Sequence, residues 1–259
     1  MSKGLKSKSP KKPVRKLMAL RDRSDDRDVL YKPVITSVPR SITIEDVKKR
    51  GIPVLDQGEE GACTGFALAT VIHESMRRTW GTVDQISPWM LYHNAQKYDE
   101  WAGESYEGSS CRGALKAWQK NGVLPLKDWG KSRVKDVSLE EKQASFEFPC
   151  GLYARATTRK IRELHIAIAM NGAIYCSGDV HSGWDNVNKK TGIIEENHKI
   201  NGGHAFALVG YTELGFVVQN SWGEDWGKDG FAILKYEDFL RTICDAWVVG
   251  LGAPCGVFS

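Results

Sequence analysis

Residues 57–72 read Q-G-E-E-G-A-C-T-G-F-A-L-A-T-V-I and set one thiol, Cys63, between a glycine-rich turn and a run that stays apolar from Phe66 to Ile72. The chain turns polar at His73, Glu74, Arg77 and Arg78, so the pattern predicts a buried helix with the cysteine at its mouth. A helix N-terminus offers unpaired N–H groups and the positive end of the dipole, both of which favour thiolate over thiol. Six residues upstream, Gln57 carries an amide donor, and Gly58 and Gly61 let the backbone aim it back at the thiol. An amide donor beside a nucleophile is half of an oxyanion hole. The plainer alternative is a cysteine that serves only as a small buried apolar group.

The 259 residues are 41% hydrophobic and 26% charged, which fits a globular chain with room for one large core or two smaller ones sharing an interface. A net charge of +4 conceals an asymmetry. Residues 1–28 hold ten Lys/Arg against four Asp/Glu, and the remainder is slightly acidic. A nucleic-acid function for the folded part is therefore not expected. The six cysteines form no C-x-x-C pair, so neither a zinc site nor a thioredoxin-type motif is expected, and no cofactor is implied. No signal peptide or membrane-length apolar run is seen, which points to a cytoplasmic protein with free thiols and no membrane partner.

In chain order, residues 1–37 form a basic N-terminal extension expected to be disordered, because it lacks the apolar content to fold alone. Residues 38–149 read as mainly helical. Thr43 caps a short helix, the Cys63 helix ends near Trp80-Gly81, Ser87-Pro88 opens a third, and Cys111 to Asn121 forms a fourth closed by Gly122. Residues 150–259 read as mainly β, with strands at 152–156, 173–176, 204–211, 216–222 and 231–235 and one helix over 158–170. The fold class is α+β.

His204 follows Gly202-Gly203 and starts a near-continuous apolar strand. If that strand pairs with Phe216 to Trp222 in an antiparallel hairpin centred near residue 212 or 213, His204 and Asn220 fall opposite or diagonal on one face. Asn220 then accepts from one imidazole N–H and leaves the other nitrogen for a thiol. A slip of one residue would undo this.

These three stretches, Gln57 to Phe66, Gly203-His204-Ala205 and Asn220-Ser221-Trp222-Gly223, make the chain resemble the papain-like cysteine peptidases over roughly residues 38–245, in particular a non-secreted prokaryotic-type member. The 141 residues from Cys63 to His204 suit that family. The resemblance implies a two-lobe fold with the cleft between a helical and a β lobe. It implies Cys63 as nucleophile, His204 as base and acid, Asn220 orienting His204, and Gln57 with the Cys63 N–H as oxyanion hole. Trp222 would cover the His204–Asn220 hydrogen bond, and Gly113, Ala114 and Gly203 would line the substrate channel. The chain departs from the pattern at Glu60, where the family has a half-cystine whose partner matches Cys111, and in lacking the large inhibitory propeptide.

The expected activity is peptide-bond hydrolysis through a thioester acyl-enzyme by an endopeptidase. The same Cys-His-Asn set would serve an acyltransferase or side-chain amidase. The basic extension reads as a solvated linker, an arm for an acidic partner, or a short segment lying in the cleft. The acidic, aromatic loop before Cys111, with Glu104, Glu107, Trp101 and Tyr106, suggests a preference for Lys or Arg two or three residues before the cleaved bond. His73, His93, His165, His181 and His198 read as surface or satisfied core residues.

Overall fold

Helix α2 (Cys63–Trp80) is buried without interruption from Cys63 to Met76, which only a helix packed on all sides can be. The computed structural model that shows this describes residues 15–34, 36–99, 107–130 and 137–253. Ahead of α2 stand a short strand β1 (Ala19–Leu20) and helix α1 (Ile44–Lys48), whose start is fixed by a capping box between Thr43 and Asp46. Helix α3 (Pro88–Ala95) is capped by the Ser87 hydroxyl and lies so close to α2 that a Cβ on Gly65 would stand 2.2 Å from Pro88 O. A two-residue strand β2 (Ser109–Ser110) leads into α4 (Cys111–Asn121). Two short helices follow, α5 (Leu126–Trp129) and α6 (Leu139–Ala144).

The second half is a six-stranded antiparallel sheet. Its strands are β3 (Cys150–Arg155), β4 (Ile174–His181), β5 (Ile200–Tyr211), β6 (Gly215–Gln219), β7 (Phe231–Lys235) and β8 (Ile243–Leu251), in the order β3-β8-β4-β5-β6-β7. Helix α7 (Ile161–Asn171) intervenes between β3 and β4, and α8 (Tyr236–Thr242) between β7 and β8. Side chains alternate between two apolar layers, as the period of a strand requires. Tyr175, Ala205, Ala207, Val209 and Trp247 join the core built on α2, α3 and α4. Cys176, Phe206, Leu208 and Ala246 face the layer formed with α7 and α8. The α+β reading is correct. In this half α8 and the central strand β8 were not foreseen, because the β pattern was followed only to Lys235, and in the first half the short elements β1, β2, α5 and α6 were not foreseen either. Among the described residues no helix is long and apolar enough to cross a membrane.

The N-terminal extension departs from its expected disorder from residue 15 onward. Ala19 and Leu20 pair in parallel with Ser109 and Ser110, Met18 bridges to Gly203, and Leu30 bridges to Arg155. This segment lacks a core of its own. Its order comes from two walls it did not have to build, one from each half of the protein. Residues 1–14 lie outside the described part.

Candidate active site

The sheet places His204 and Asn220 through a bulge. Ala207 pairs with Gln219 and Leu208 with Val218, then the register shifts so that Gly210 meets Val217. On the near side of the bulge the paired numbers have an even sum, which sets His204 diagonal to Asn220 as the hairpin pattern requires. His204 Nε2 donates to Asn220 Oδ1 at 2.7 Å, and the Ser221 N–H donates to the same oxygen at 2.8 Å. Oδ1 can only accept, so the ring proton sits on Nε2, and Nδ1 has no hydrogen-bond partner although buried. Trp222 lies against the His204 ring at 4.7 Å between centroids, and Trp184 meets it edge-on at 6.0 Å. Both indoles keep water from the His204–Asn220 bond.

Cys63 is the first residue of α2, and the backbone N–H groups of Ala205, Met18 and Thr64 lie near its sulfur. The nearness of Ala205 sets the thiol beside the strand that carries His204. Gln57 is almost fully buried and tied down twice: its Oε1 accepts from Ser221 Oγ at 2.7 Å and its Nε2 donates to Glu60 O at 2.7 Å. One hydrogen of that amide is thereby left for another acceptor. The role of Ser221 as a brace for Gln57 was not anticipated, although it adjoins Asn220.

The channel edge is displaced from where the sequence set it. Gly113 and Ala114 lie inside α4; Ala114 is fully buried, and a Cβ on Gly113 would meet Ala95 O at 3.2 Å. Both pack helix on helix. The backbone edge that meets an extended chain is Ser109–Ser110, two small residues just before the helix. Gly203 is approached by an extended chain. A Cβ there would stand 2.0 Å from Ala19 O, so glycine is required for the close approach of a second chain.

That second chain is the protein's own segment 15–28. Arg15 donates to Asp56 Oδ1 and Gly58 O at 2.9 Å and to Trp222 O at 3.0 Å, and its guanidinium stands 5.9 Å from the Trp222 ring centroid. Lys16 is paired with Glu107, Met18 passes over Cys63, and Asp22 enters a buried pocket beside Trp247. Of the other acidic loop residues invoked for specificity, Asp99 is half-buried, and Glu100 and Glu104 lie outside the described residues, as do Trp101 and Tyr106. Beyond Arg15 the cleft continues as an open groove of about 910 Å³ lined by Asp185, Trp222 and Glu224.

Under this cover Cys63 and His204 are both 0% exposed. Burial pushes the Cys63 thiol up to about 11 and the His204 imidazole down to about 4, with the Arg15 charge depressing the histidine further. Thiol and imidazole are therefore both neutral here. The helix N-terminus was expected to favour thiolate, and in the covered form desolvation outweighs it.

The family model for "Papain family cysteine protease" matches residues 38–245, and the chain belongs to that family: it is a thiol protease, a hydrolase. Cathepsin K of Mus musculus is 29% identical over 234 residues, covering 85% of this chain and 68% of that protein. An uncharacterised peptidase C1-like protein of Acanthamoeba polyphaga mimivirus is 28% identical over 269 residues, covering 89% and 85%. Among solved structures, xylellain, a cysteine protease from Xylella fastidiosa, superposes with a TM-score of 0.78 at 24% identity, covering 94% of this chain and 99% of that one. The cysteine protease CMS1MS2 of Carica candamarcensis, solved with E-64, gives 0.63 at 20% identity, covering 82% and 99%.

Proposed function

We propose that the protein is an endopeptidase that cleaves extended polypeptides through a thioester on Cys63. His204 takes the thiol proton and returns it to the leaving amine, Asn220 holds the imidazole, and Gln57 with the Cys63 N–H binds the oxyanion. The observation that carries the reading is the course of segment 15–28. It runs past the thiol as an extended chain, strand-paired to Gly203 and Ser109 on one side and continuing to Trp222 on the other. The groove that continues beyond Arg15 leaves room for a chain to extend past the thiol on that side, as the interior of a polypeptide would. An exopeptidase would need one end closed around a terminal charge. The segment also covers the reacting groups, so it has to leave before a substrate enters.

Five unpaired cysteines, at 63, 111, 150, 176 and 244, support action in a reducing compartment such as the cytoplasm. The test is a library of internally diverse peptides incubated with the full chain and with Cys63→Ala, products identified by mass spectrometry. Internal cleavages made by the wild type and absent from the variant support the reading. Release of terminal residues only, or amine adducts in place of hydrolysis products, would replace it with an exopeptidase or an acyltransferase.

A further inference from the structure

The thiol and the backbone edge that meets an extended chain come from different elements, so something has to fix the distance between them. The thiol opens α2 at Cys63, and the edge is the two-residue strand β2, where Ser109 pairs with Ala19 and Ser110 with Leu20. No disulfide joins the two: Cys63 is unpaired, and so is Cys111, the buried residue that follows the edge.

A pair of hydroxyls spans the gap. Thr64, next to the nucleophile, is hydrogen-bonded through Oγ1 to Ser109 Oγ, and both residues are 0% exposed. Neither hydroxyl can turn to water, so each depends on the other. Thr64 is held in its turn from the sheet, where Tyr175 OH on β4 donates to Thr64 O at 2.9 Å. Ser110 is held separately, its hydroxyl accepting from the Gly113 N–H at 3.0 Å at the start of α4. Just before the edge, Tyr92 OH donates to Glu107 O, and Gly61 passes so near that a Cβ would stand 2.7 Å from the same oxygen. The turn before Cys63 and the stretch before α4 thus pack directly on each other, and Thr64–Ser109 is a side-chain bond between them.

We propose that Thr64 is a positioning residue: through Ser109 it sets the spacing between the Cys63 thiol and the β2 edge, so that a polypeptide paired to that edge brings its carbonyl to the sulfur. Thr64 is fully buried and touches no substrate itself. Removing either hydroxyl leaves the other buried and unpaired, and the cost of that falls as the group shifts toward a new partner. Ser109 can shift only with the edge it belongs to. A displacement on the order of 1 Å is enough to cost about 10²-fold in rate. A small electrophile that meets only the sulfur does not depend on this spacing. The inference rests on the function proposed above, because it is a substrate chain that takes the place of the segment on β2.

The experiment compares two reagents on Cys63 of the full chain: a peptidyl chloromethyl ketone, which has to pair with the edge, and iodoacetamide, which does not. Second-order rates of Cys63 modification are read by peptide mass spectrometry and expressed as the ratio of ketone to iodoacetamide. Both reagents wait for the segment to leave and both need the same thiolate, so changes in cover or in thiol reactivity cancel in the ratio. Thr64→Val, which keeps the branched shape without the hydroxyl, is expected to lower the ratio about 10- to 100-fold. Ser109→Ala is expected to lower it similarly and serves if the first variant perturbs the fold. Thr64→Ser, which keeps the hydroxyl, is expected to stay within threefold of wild type. Combining Thr64→Val with Ser109→Ala removes both ends of one bond and is expected to cost no more than the larger single loss. A ratio unchanged in both single variants overturns the proposal, as does a loss in Thr64→Ser as large as in Thr64→Val, or losses that add in the double variant. A wild type that reacts with iodoacetamide and ignores the ketone is a separate failure, which overturns the peptide-cleaving function and this inference with it.

Discussion

Replacing Gly203 by alanine acts on the covering segment and on little else. Its backbone does not adopt the left-handed conformation that favours glycine, and β5 pairs there with Asp179, so a methyl group is compatible with the strand itself. That methyl would stand 2.0 Å from Ala19 O, at least 1 Å inside any normal contact, and the obstacle is backbone, which cannot swing aside. Overpacking of this kind costs roughly 1 to 3 kcal/mol. Because the cost falls on the covered state alone, the open population should rise about 5- to 160-fold. The assay is the rate of Cys63 alkylation by iodoacetamide at fixed pH, followed by peptide mass spectrometry, with buried Cys111 and Cys176 as internal references. Iodoacetamide is small enough that the new methyl does not exclude it. A Gly203→Ala protein of wild-type thermal stability whose Cys63 labels within twofold of the wild-type rate would refute the view that this segment is what shields the thiol.

Cys63→Ala should abolish turnover while the protein folds and melts within a few degrees of wild type; a soluble variant with full activity would remove Cys63 from the chemistry. Gln57→Ala should lower kcat by about 10² to 10³, the usual effect of one lost oxyanion donor, and an unchanged rate would assign that donor elsewhere. The melting temperature should be the same with and without reductant, since all five described cysteines are unpaired; a drop on adding reductant would reveal a bridge.

Helices α1 to α4 were legible because their ends are written locally, whereas the short α5 and α6 were missed, α6 despite its Ser138–Glu141 capping box. Thr43 with Asp46, Ser87 before Pro88, and glycines at 81 and 122 each satisfy or terminate a helix within a few residues. The hairpin was legible for a similar reason: near-continuous apolar runs on either side of a short turn leave few registers that bury both. Features fixed by distant partners were not readable in this way. Strand β8 carries Asp245 in its first half, and a charge there argues against a central strand until Arg155 and Ser177 are known to face it. Gly113-Ala114 were assigned to the channel by likeness of motif, whereas the Ser109-Ser110 pair just upstream carried the local signal of small residues before a helix cap. Segment 15–34 reads as solvated because its polar residues find their partners in the cleft. The signal that a chain must pass there was on the cleft side, in Gly61, Gly202 and Gly203, three positions without side chains along one path.

Strand β8 has a consequence for the order in which the molecule is made. Asp22 bonds to Asp245 across 223 residues, and β8 lies between β3 and β4, which are synthesised long before it. At ribosomal speeds of about 5 to 20 residues per second, the N-terminal segment waits some 11 to 45 seconds for the pocket that receives it. Throughout that time the thiol, imidazole and amide emerge in turn on a sheet that still lacks its middle strand. The strand that completes the sheet is the same one that brings Asp245 and Trp247 to the segment, so the last contacts of the cover form together with the last strand of the sheet.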